Sequence, residues 1–264
     1  MNQLFNMDNP VFRVMGKVMD LIILNLLFIA CCIPIVTIGP SLTALYYVTL
    51  KMVRNEEGYI MKGFFKSFRQ NLKQGILINL LMLGFGFFLG MDFRILNAMT
   101  SPHRIVFFLL LFVLVVYVLE FLYLYPVLAK FDNTIKNTLL NSLMMSISHL
   151  PYTALILFIT VTPFLVLYFT PIQQVQSLLL LFLILLGGAG IAYCNSYFFV
   201  KIFDKYIPAE DKAASAEDLA FSAEIPEEAP ESVARMGEEN ALPDGNEAET
   251  AADKETPGDV RDHS

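Results

Sequence analysis

An uncharged run of thirty residues constrains this chain more than any other feature of its sequence. The run extends from Leu21 to Leu50 and is interrupted in its middle by Pro34-Ile-Val-Thr-Ile-Gly-Pro40. An apolar helix of about 20 residues is long enough to cross the hydrocarbon of a bilayer. Because proline removes a backbone donor and glycine permits unusual backbone angles, the break predicts that the chain turns back inside the run.

The other apolar residues also form long blocks rather than a strand-like alternation. Residues 74–91 and 137–200 contain no charge, and the one charged residue of 105–129 is Glu120. Hydrophobic residues make up 56% of the chain and charged residues 16%, which is too apolar for an ordinary soluble domain. We therefore predict an all-α fold, a polytopic transmembrane bundle of about six helices. The predicted spans are about 18–37, 40–54, 74–92, 105–129, 152–171 and 177–200.

The basic residues predict the orientation of these spans, because cytoplasmic loops are enriched in Lys and Arg. Residues 1–206 contain fourteen basic residues; with six spans and a cytoplasmic N-terminus, twelve of these lie inside and two, Arg94 and Arg104, lie outside. With five spans the counts become ten inside and four outside. The six-span arrangement fits better and places both termini in the cytoplasm. A re-entrant hairpin over residues 18–54 gives the same orientation, so loop charge leaves that alternative open.

The C-terminal part of the chain has a different composition from the rest. Residues 207–264 contain 17 Asp or Glu, 4 Lys or Arg and a single aromatic residue, Phe221. Such a segment buries too little apolar surface to offset the entropy lost on ordering it. We therefore divide the chain into a transmembrane helical domain, residues 1–206, and a disordered acidic cytoplasmic tail, residues 207–264.

Residues 59–73 predict an amphipathic helix at the cytoplasmic surface. At 100° per residue, one apolar stripe forms and the basic residues cluster on its flank. The stripe contains Met61, Phe64, Phe65, Phe68 and Leu72, and the flank contains Lys62, Lys66, Arg69 and Lys73. A helix of this kind lies in the lipid interface, with its rings in the acyl boundary and its cations near anionic head groups. The alternatives are a basic entry to the next span and a docking surface for a cytoplasmic partner.

The break itself is a candidate functional site, defined by Pro34, Thr37, Gly39 and Pro40. Backbone groups freed at membrane depth must be buried in protein or line a cavity. A short loop at the outer surface is the alternative interpretation, and the sequence does not separate the two.

Glu120 marks a candidate intramembrane polar site, because it is the only acidic residue deep within a predicted span. Acids at such depth are costly and usually face a bundle interior or a wet cavity. Tyr117 and Tyr123, three residues before and after it, are predicted to share its face, and each hydroxyl can donate to a carboxylate. A proton or ligand site and a structural hydrogen bond to a neighbouring helix both fit this pattern.

No motif in the sequence indicates enzymatic chemistry. The sequence has no P-loop, no nucleophile elbow and no His-Glu-x-x-His pair, and its three histidines are too far apart to suggest a zinc site. We expect a non-enzymatic protein without a metal or cofactor. A lipid surface explains the basic stretch better than nucleic acid does, so the expected partner is the lipid bilayer and not nucleic acid.

Several segments together resemble the YesL family of bacterial integral membrane proteins. They are Asp20-Leu-Ile-Ile-Leu-Asn25, Ile33-Pro-Ile-Val-Thr-Ile-Gly-Pro40, Ala44-Leu-Tyr-Tyr47, Gly63-Phe-Phe-Lys-Ser-Phe-Arg69 and Asn133-Thr-Ile-Lys-Asn137. The resemblance covers about residues 5–206 and is strongest in the first 75. The family has no established biochemical activity and no accepted catalytic residues to transfer to this chain.

Genes of this family often accompany carbohydrate ABC transporters and sugar-degrading enzymes in Gram-positive bacteria. The resemblance therefore implies an accessory or regulatory role in carbohydrate uptake at the cell membrane, with carbohydrate ABC transporter components as partners. The alternative is a transporter or permease subunit that moves a sugar or another small solute. The sequence lacks the Glu-Ala-Ala…Gly coupling loop of binding-protein-dependent permeases, and this absence argues against the permease alternative.

Overall fold

A computed structural model describes residues 10–56, 58–98 and 104–206 of this chain, and its helices confirm the all-α prediction. The helices are α1 (Pro10–Cys32), α2 (Ile38–Arg54), α3 (Ile60–Gln70), α4 (Leu72–Ala98), α5 (Arg104–Lys130), α6 (Ile135–Ser148), α7 (Leu150–Phe169), α8 (Gln173–Phe182) and α9 (Gly188–Phe203). A 3₁₀ turn at Ile35–Thr37 separates α1 from α2, and a π-helical segment at Leu183–Gly187 joins α8 to α9. The predicted acidic tail, residues 207–264, lies outside the described residues.

Within the described ranges, five helices are long and apolar enough to cross a membrane. They are Val14–Cys32, Leu72–Ala98, Arg104–Lys130, Leu150–Phe169 and Gln173–Phe203. The chain is therefore a multi-pass membrane protein. Helix α2 has 17 residues, which at 1.5 Å per residue gives a length of about 25 Å. Its role as a sixth complete pass stays a prediction.

Large apolar side chains cover the outer surface of the long helices. Phe88 of α4, Phe112 of α5 and Phe158 of α7 are 68%, 66% and 68% exposed, respectively. Contiguous apolar surface of this kind is unfavourable in water and favourable against lipid chains. The side chains exposed on these helices are therefore suited to contact with lipid, as the apolar composition of the sequence predicted.

Helix α2 is the central helix of the bundle. It contacts α1, α3, α4, α5 and α9, and ten of its seventeen residues are buried. Many of these are small or carry a hydroxyl, which lets neighbouring backbones approach closely. The Thr49 and Ser196 hydroxyls are hydrogen-bonded at 2.9 Å, and the Tyr46 and Phe199 rings meet edge-on with 5.7 Å between their centroids. These contacts fix α2 against α9.

Helix α3 packs on α2 with part of the apolar stripe that the sequence placed in the lipid interface. Phe64 and Ser67 are buried, and Phe64 belongs to the same core cluster as Val48 of α2. Met61 and Phe65, which were expected on the same stripe as Phe64, are 53% and 39% exposed. Because consecutive helical residues point about 100° apart, Phe64 and Phe65 cannot both face α2. The outer surface of α3 therefore combines apolar and basic side chains.

The turn between α1 and α2 lies beside the first two turns of α4. A Cβ atom added to Gly39 would lie 2.5 Å from the carbonyl oxygen of Gly75. The same end of α4 adjoins the segment after α5, because the Gln74 side-chain amide donates to the Asn133 carbonyl oxygen at 2.7 Å. The turn is thus held at the N-terminal end of α4, whereas Ala98 is at the opposite end of that helix.

Candidate functional site

Side chains satisfy the backbone groups that the helix break releases. The Thr37 hydroxyl lies 2.7 Å from the carbonyl oxygen of Cys31 and 2.8 Å from that of Pro34, and is shared as a donor between them. The Ser41 hydroxyl donates in turn to the Thr37 carbonyl oxygen at 2.7 Å. Of the predicted break residues, Thr37 therefore acts as a cap for the end of α1, and Gly39 supplies the close approach to α4.

A buried polar chain connects the break to α4 and α5. The Asn79 side-chain amide donates to the Ile35 carbonyl oxygen at 3.0 Å, and its oxygen accepts from the Tyr125 hydroxyl at 3.1 Å. Asn79 and Tyr125 are both buried. Leaving a buried polar group of this kind unpaired costs about 1–3 kcal/mol. Sequence reasoning did not connect Asn79 or Tyr125 with the break, because helical periodicity carries no signal for partners this far apart.

The side chains on the open side of the break are apolar. Ile33 and Ile35 are 80% and 66% exposed. Paired backbone groups together with outward-facing aliphatic side chains are what a hydrocarbon environment requires, whereas water would favour the opposite arrangement. The arrangement fits a break at membrane depth better than a loop in water.

The Tyr117 and Tyr123 hydroxyls do not form hydrogen bonds with Glu120, contrary to one interpretation of the sequence. The Tyr117 hydroxyl donates to the Met82 carbonyl oxygen of α4 at 3.2 Å, and the Tyr123 hydroxyl is bonded to Thr153 of α7 at 2.8 Å. Residues three before and three after a helical position lie about 60° to either side of it, so the two rings diverge by about 120°. The half-buried Glu120 forms no hydrogen bond or ion pair within the described ranges.

The predicted interfacial cations do lie on exposed helix faces. Lys62, Lys66 and Arg69 are exposed on α3, and Lys73 is exposed in the first turn of α4. Lys62, Lys66 and Arg69 surround Met61 and Phe65 on one open surface of α3. This basic α3 surface, defined by those five residues, has the mixed apolar and cationic character of a membrane-proximal or protein-docking face.

The described residues contain no group of three or more His, Cys, Asp or Glu side chains placed to hold a metal ion. His149, the one histidine that the structure describes, lies at the junction of α6 and α7, with its ring against Tyr152 and Tyr206. The features that stand out in the described part of the chain are therefore the break, Glu120 and the basic α3 surface.

Comparison with known protein families identifies part of this chain. Residues 21–93, which include the break, α2, α3 and most of α4, match the family model described as "Protein of unknown function, DUF624". No curated protein and no solved structure matches this chain. The matched segment contains the residues in which the resemblance to the YesL family is strongest, and it confirms that resemblance. The chain therefore carries, over residues 21–93, the domain found in YesL-like bacterial membrane proteins.

Proposed function

We propose that this chain is a non-enzymatic accessory or regulatory membrane protein of carbohydrate uptake. The observation that carries the proposal is the basic α3 surface, which is exposed although α3 itself is anchored in the core by Phe64. A surface with both exposed cations and exposed apolar groups suits association with another protein at the inner membrane face. The support for a carbohydrate transporter component as the partner is the resemblance to the YesL family, whose genes often accompany carbohydrate transporters.

The proposal places the protein in the cell membrane with both termini in the cytoplasm. The support is the distribution of the fourteen basic residues of residues 1–206, twelve on the proposed inner side and two on the outer side. In this orientation the basic α3 surface faces the cytoplasm, where the ATP-binding subunits of transporters are located.

A gene deletion tests the proposed role. We expect uptake of the oligosaccharides handled by the neighbouring transporter genes to change when this gene is removed. The wild-type gene should restore uptake, whereas a variant with Lys66→Glu and Arg69→Glu should not, although it reaches the membrane at the same level. Unchanged uptake of every such sugar in the deletion strain would overturn the proposal.

The second candidate function is a transporter or permease subunit for a sugar or another small solute. The support for this alternative is the buried polar chain of Asn79 and Tyr125 beside the break, together with Glu120 of α5, which has no partner among the described residues. Polar groups within a membrane domain usually mark solute or ion pathways. The purified protein in liposomes should then move a solute, and Glu120→Gln should slow that flux. Absence of flux with sugars and with a proton gradient would count against this candidate.

A further inference from the structure

A cavity between α2 and the N-terminal half of α3 collects basic side chains from both helices. Its volume is about 210 Å³. The residues that line it include Tyr47, Lys51, Gly58, Tyr59, Lys62 and Lys66. Lys51 comes from the central helix α2, so the cavity is not simply part of the basic α3 surface. We call it the α2–α3 cavity.

Three lysines and no acidic residue are found among the described residues that line the α2–α3 cavity. The lysines are Lys51, Lys62 and Lys66, of which Lys51 also lines a neighbouring cavity. Glu57, the residue before Gly58, is outside the described ranges. Three like charges around one small volume repel one another, and an anion in that volume would remove the repulsion.

The N-terminus of α3 adds to this positive potential. The first turn of α3 has no acidic residue, and the Tyr59 side chain makes no capping hydrogen bond. Helix N-termini carry partial positive charge and favour anions. Lys62 lies in this turn, where a cation is unfavourable unless an anion is nearby.

A neighbouring cavity of about 110 Å³ provides an internal comparison. It is lined by Lys51, Arg54 and Lys130, but also by Glu56. Glu56 lies 4.0 Å from Arg54, and Arg54 forms a second salt bridge with Asp204. Among the described residues, Glu56 therefore supplies a carboxylate to the neighbouring cavity, and no carboxylate lines the α2–α3 cavity.

Two tyrosines hold the lysines in position. The Lys51 ammonium group lies over the Tyr47 ring, 4.7 Å from its centroid, and the Lys62 ammonium group lies over the Tyr59 ring at the same distance. Cation–π contacts of this kind restrict where the ammonium groups point. Both tyrosines also line the cavity and carry hydroxyl groups that can donate to an anion.

We propose that the α2–α3 cavity binds a phosphate group. A phosphate has more acceptor oxygens than a carboxylate and can accept from several ammonium groups at once, which matches three lysines on two helices. The group belongs either to the head of an anionic phospholipid or to a soluble phosphate compound. The inference does not depend on the proposed role in carbohydrate uptake, because it concerns binding by the purified chain.

Calorimetric titration of the purified full-length chain in a non-ionic detergent tests the proposal. The two probes are a short-chain phosphatidylglycerol and inorganic phosphate. Lys51→Gln and Lys66→Gln should each weaken binding about tenfold, which is about 1.4 kcal/mol, since each removes a charge-assisted hydrogen bond to the phosphate. Binding of inorganic phosphate identifies a soluble phosphate ligand, and binding of the lipid alone identifies a head-group site.

Lys136→Gln and Lys205→Gln are the matched controls, because both lysines are exposed and neither lines the α2–α3 cavity. They should change the affinity by less than about twofold, as expected for distant surface charges. Thermal unfolding of all four variants checks that each one folds. Equal weakening by all four substitutions would show diffuse surface attraction and overturn the proposal, as would the failure of both probes to bind the wild-type chain.

Discussion

The Asn79 side chain in α4 donates a hydrogen bond of 3.0 Å to the backbone carbonyl oxygen of Ile35, a residue 44 positions earlier in the chain. Ile35 lies in the 3₁₀ turn between α1 and α2, where helical hydrogen bonding is interrupted. A membrane protein has no water in the hydrocarbon to satisfy such a group, so a side chain from a neighbouring helix must do so. This bond therefore makes the break and the start of α4 one structural unit.

Replacing Asn79 by Leu should destabilise the protein by about 1–3 kcal/mol, because the Ile35 carbonyl oxygen and the Tyr125 hydroxyl both lose their partner. Thermal unfolding of the purified chain in detergent measures this loss. Asn97→Leu is the matched control, since Asn97 is on the same helix and exposed. Equal stability of the two variants would contradict the structural role of Asn79.

Gly39→Ala should also destabilise the protein, by about 1–3 kcal/mol, as overpacked sites do. The new methyl group would lie 2.5 Å from the Gly75 carbonyl oxygen and 2.7 Å from the Asn79 Cβ, and backbone must move to admit it. Gly84→Ala in α4 meets no atom within 4 Å. It should leave stability unchanged or raise it by up to about 1 kcal/mol through helix propensity. A neutral Gly39→Ala variant would show that α2 and α4 are not in close contact.

The two adjacent rings of α3 should respond differently to truncation. Phe64 is fully buried against α2, so Phe64→Ala should lower the free energy of unfolding by about 3–5 kcal/mol. Phe65 is exposed, and Phe65→Ala should have a much smaller effect on stability. Denaturation followed by circular dichroism distinguishes the two. The opposite ranking would mean that α3 is rotated about its axis relative to this structure.

A cysteine at position 36 should be protected from a membrane-impermeant maleimide added to either side of the bilayer. Val36 lies in the break, whose open side is apolar and fits a position at membrane depth. The experiment requires replacement of Cys31, Cys32 and Cys194 by Ala. The control, Ala98→Cys at the end of α4, should react from the outer side. Labelling of both positions at similar rates would place the break in a water-facing loop.

Much of the helical layout follows from the sequence alone. Long apolar blocks identify α4, α5 and α7 because each must cross the same thickness of hydrocarbon. The Pro34–Pro40 break is also visible, and α1 ends and α2 begins within a few residues of it. These features depend on local composition, which a single sequence contains.

Features that depend on distant partners were not predictable in the same way. The face of α3 that α2 covers contains Phe64 and not Phe65, and helical periodicity alone did not separate the two. Tyr117 and Tyr123 flank Glu120 in the sequence, but Tyr117 forms a hydrogen bond with α4 and Tyr123 forms one with α7. Lys51 was not grouped with Lys62 and Lys66, because the cavity that joins them forms only when α3 folds back on α2.

The position of the break also bears on the number of membrane passes. Gly39 contacts Gly75 in the first turn of α4, whereas two complete passes through α1 and α2 would bring the turn toward the far end of α4. This contact favours the re-entrant hairpin, which gives the same orientation of the termini. The six-pass arrangement remains the alternative, and the cysteine labelling described above separates the two.

Co-purification of the full-length chain from native membranes tests the proposed accessory role most directly. We predict that an ATP-binding or permease subunit of a carbohydrate transporter is recovered with the wild-type chain. Recovery should fall strongly with the Lys66→Glu and Arg69→Glu variant, and it should persist with the exposed control Lys136→Glu. If no transporter component accompanies a folded, membrane-inserted wild-type chain, the accessory role is contradicted.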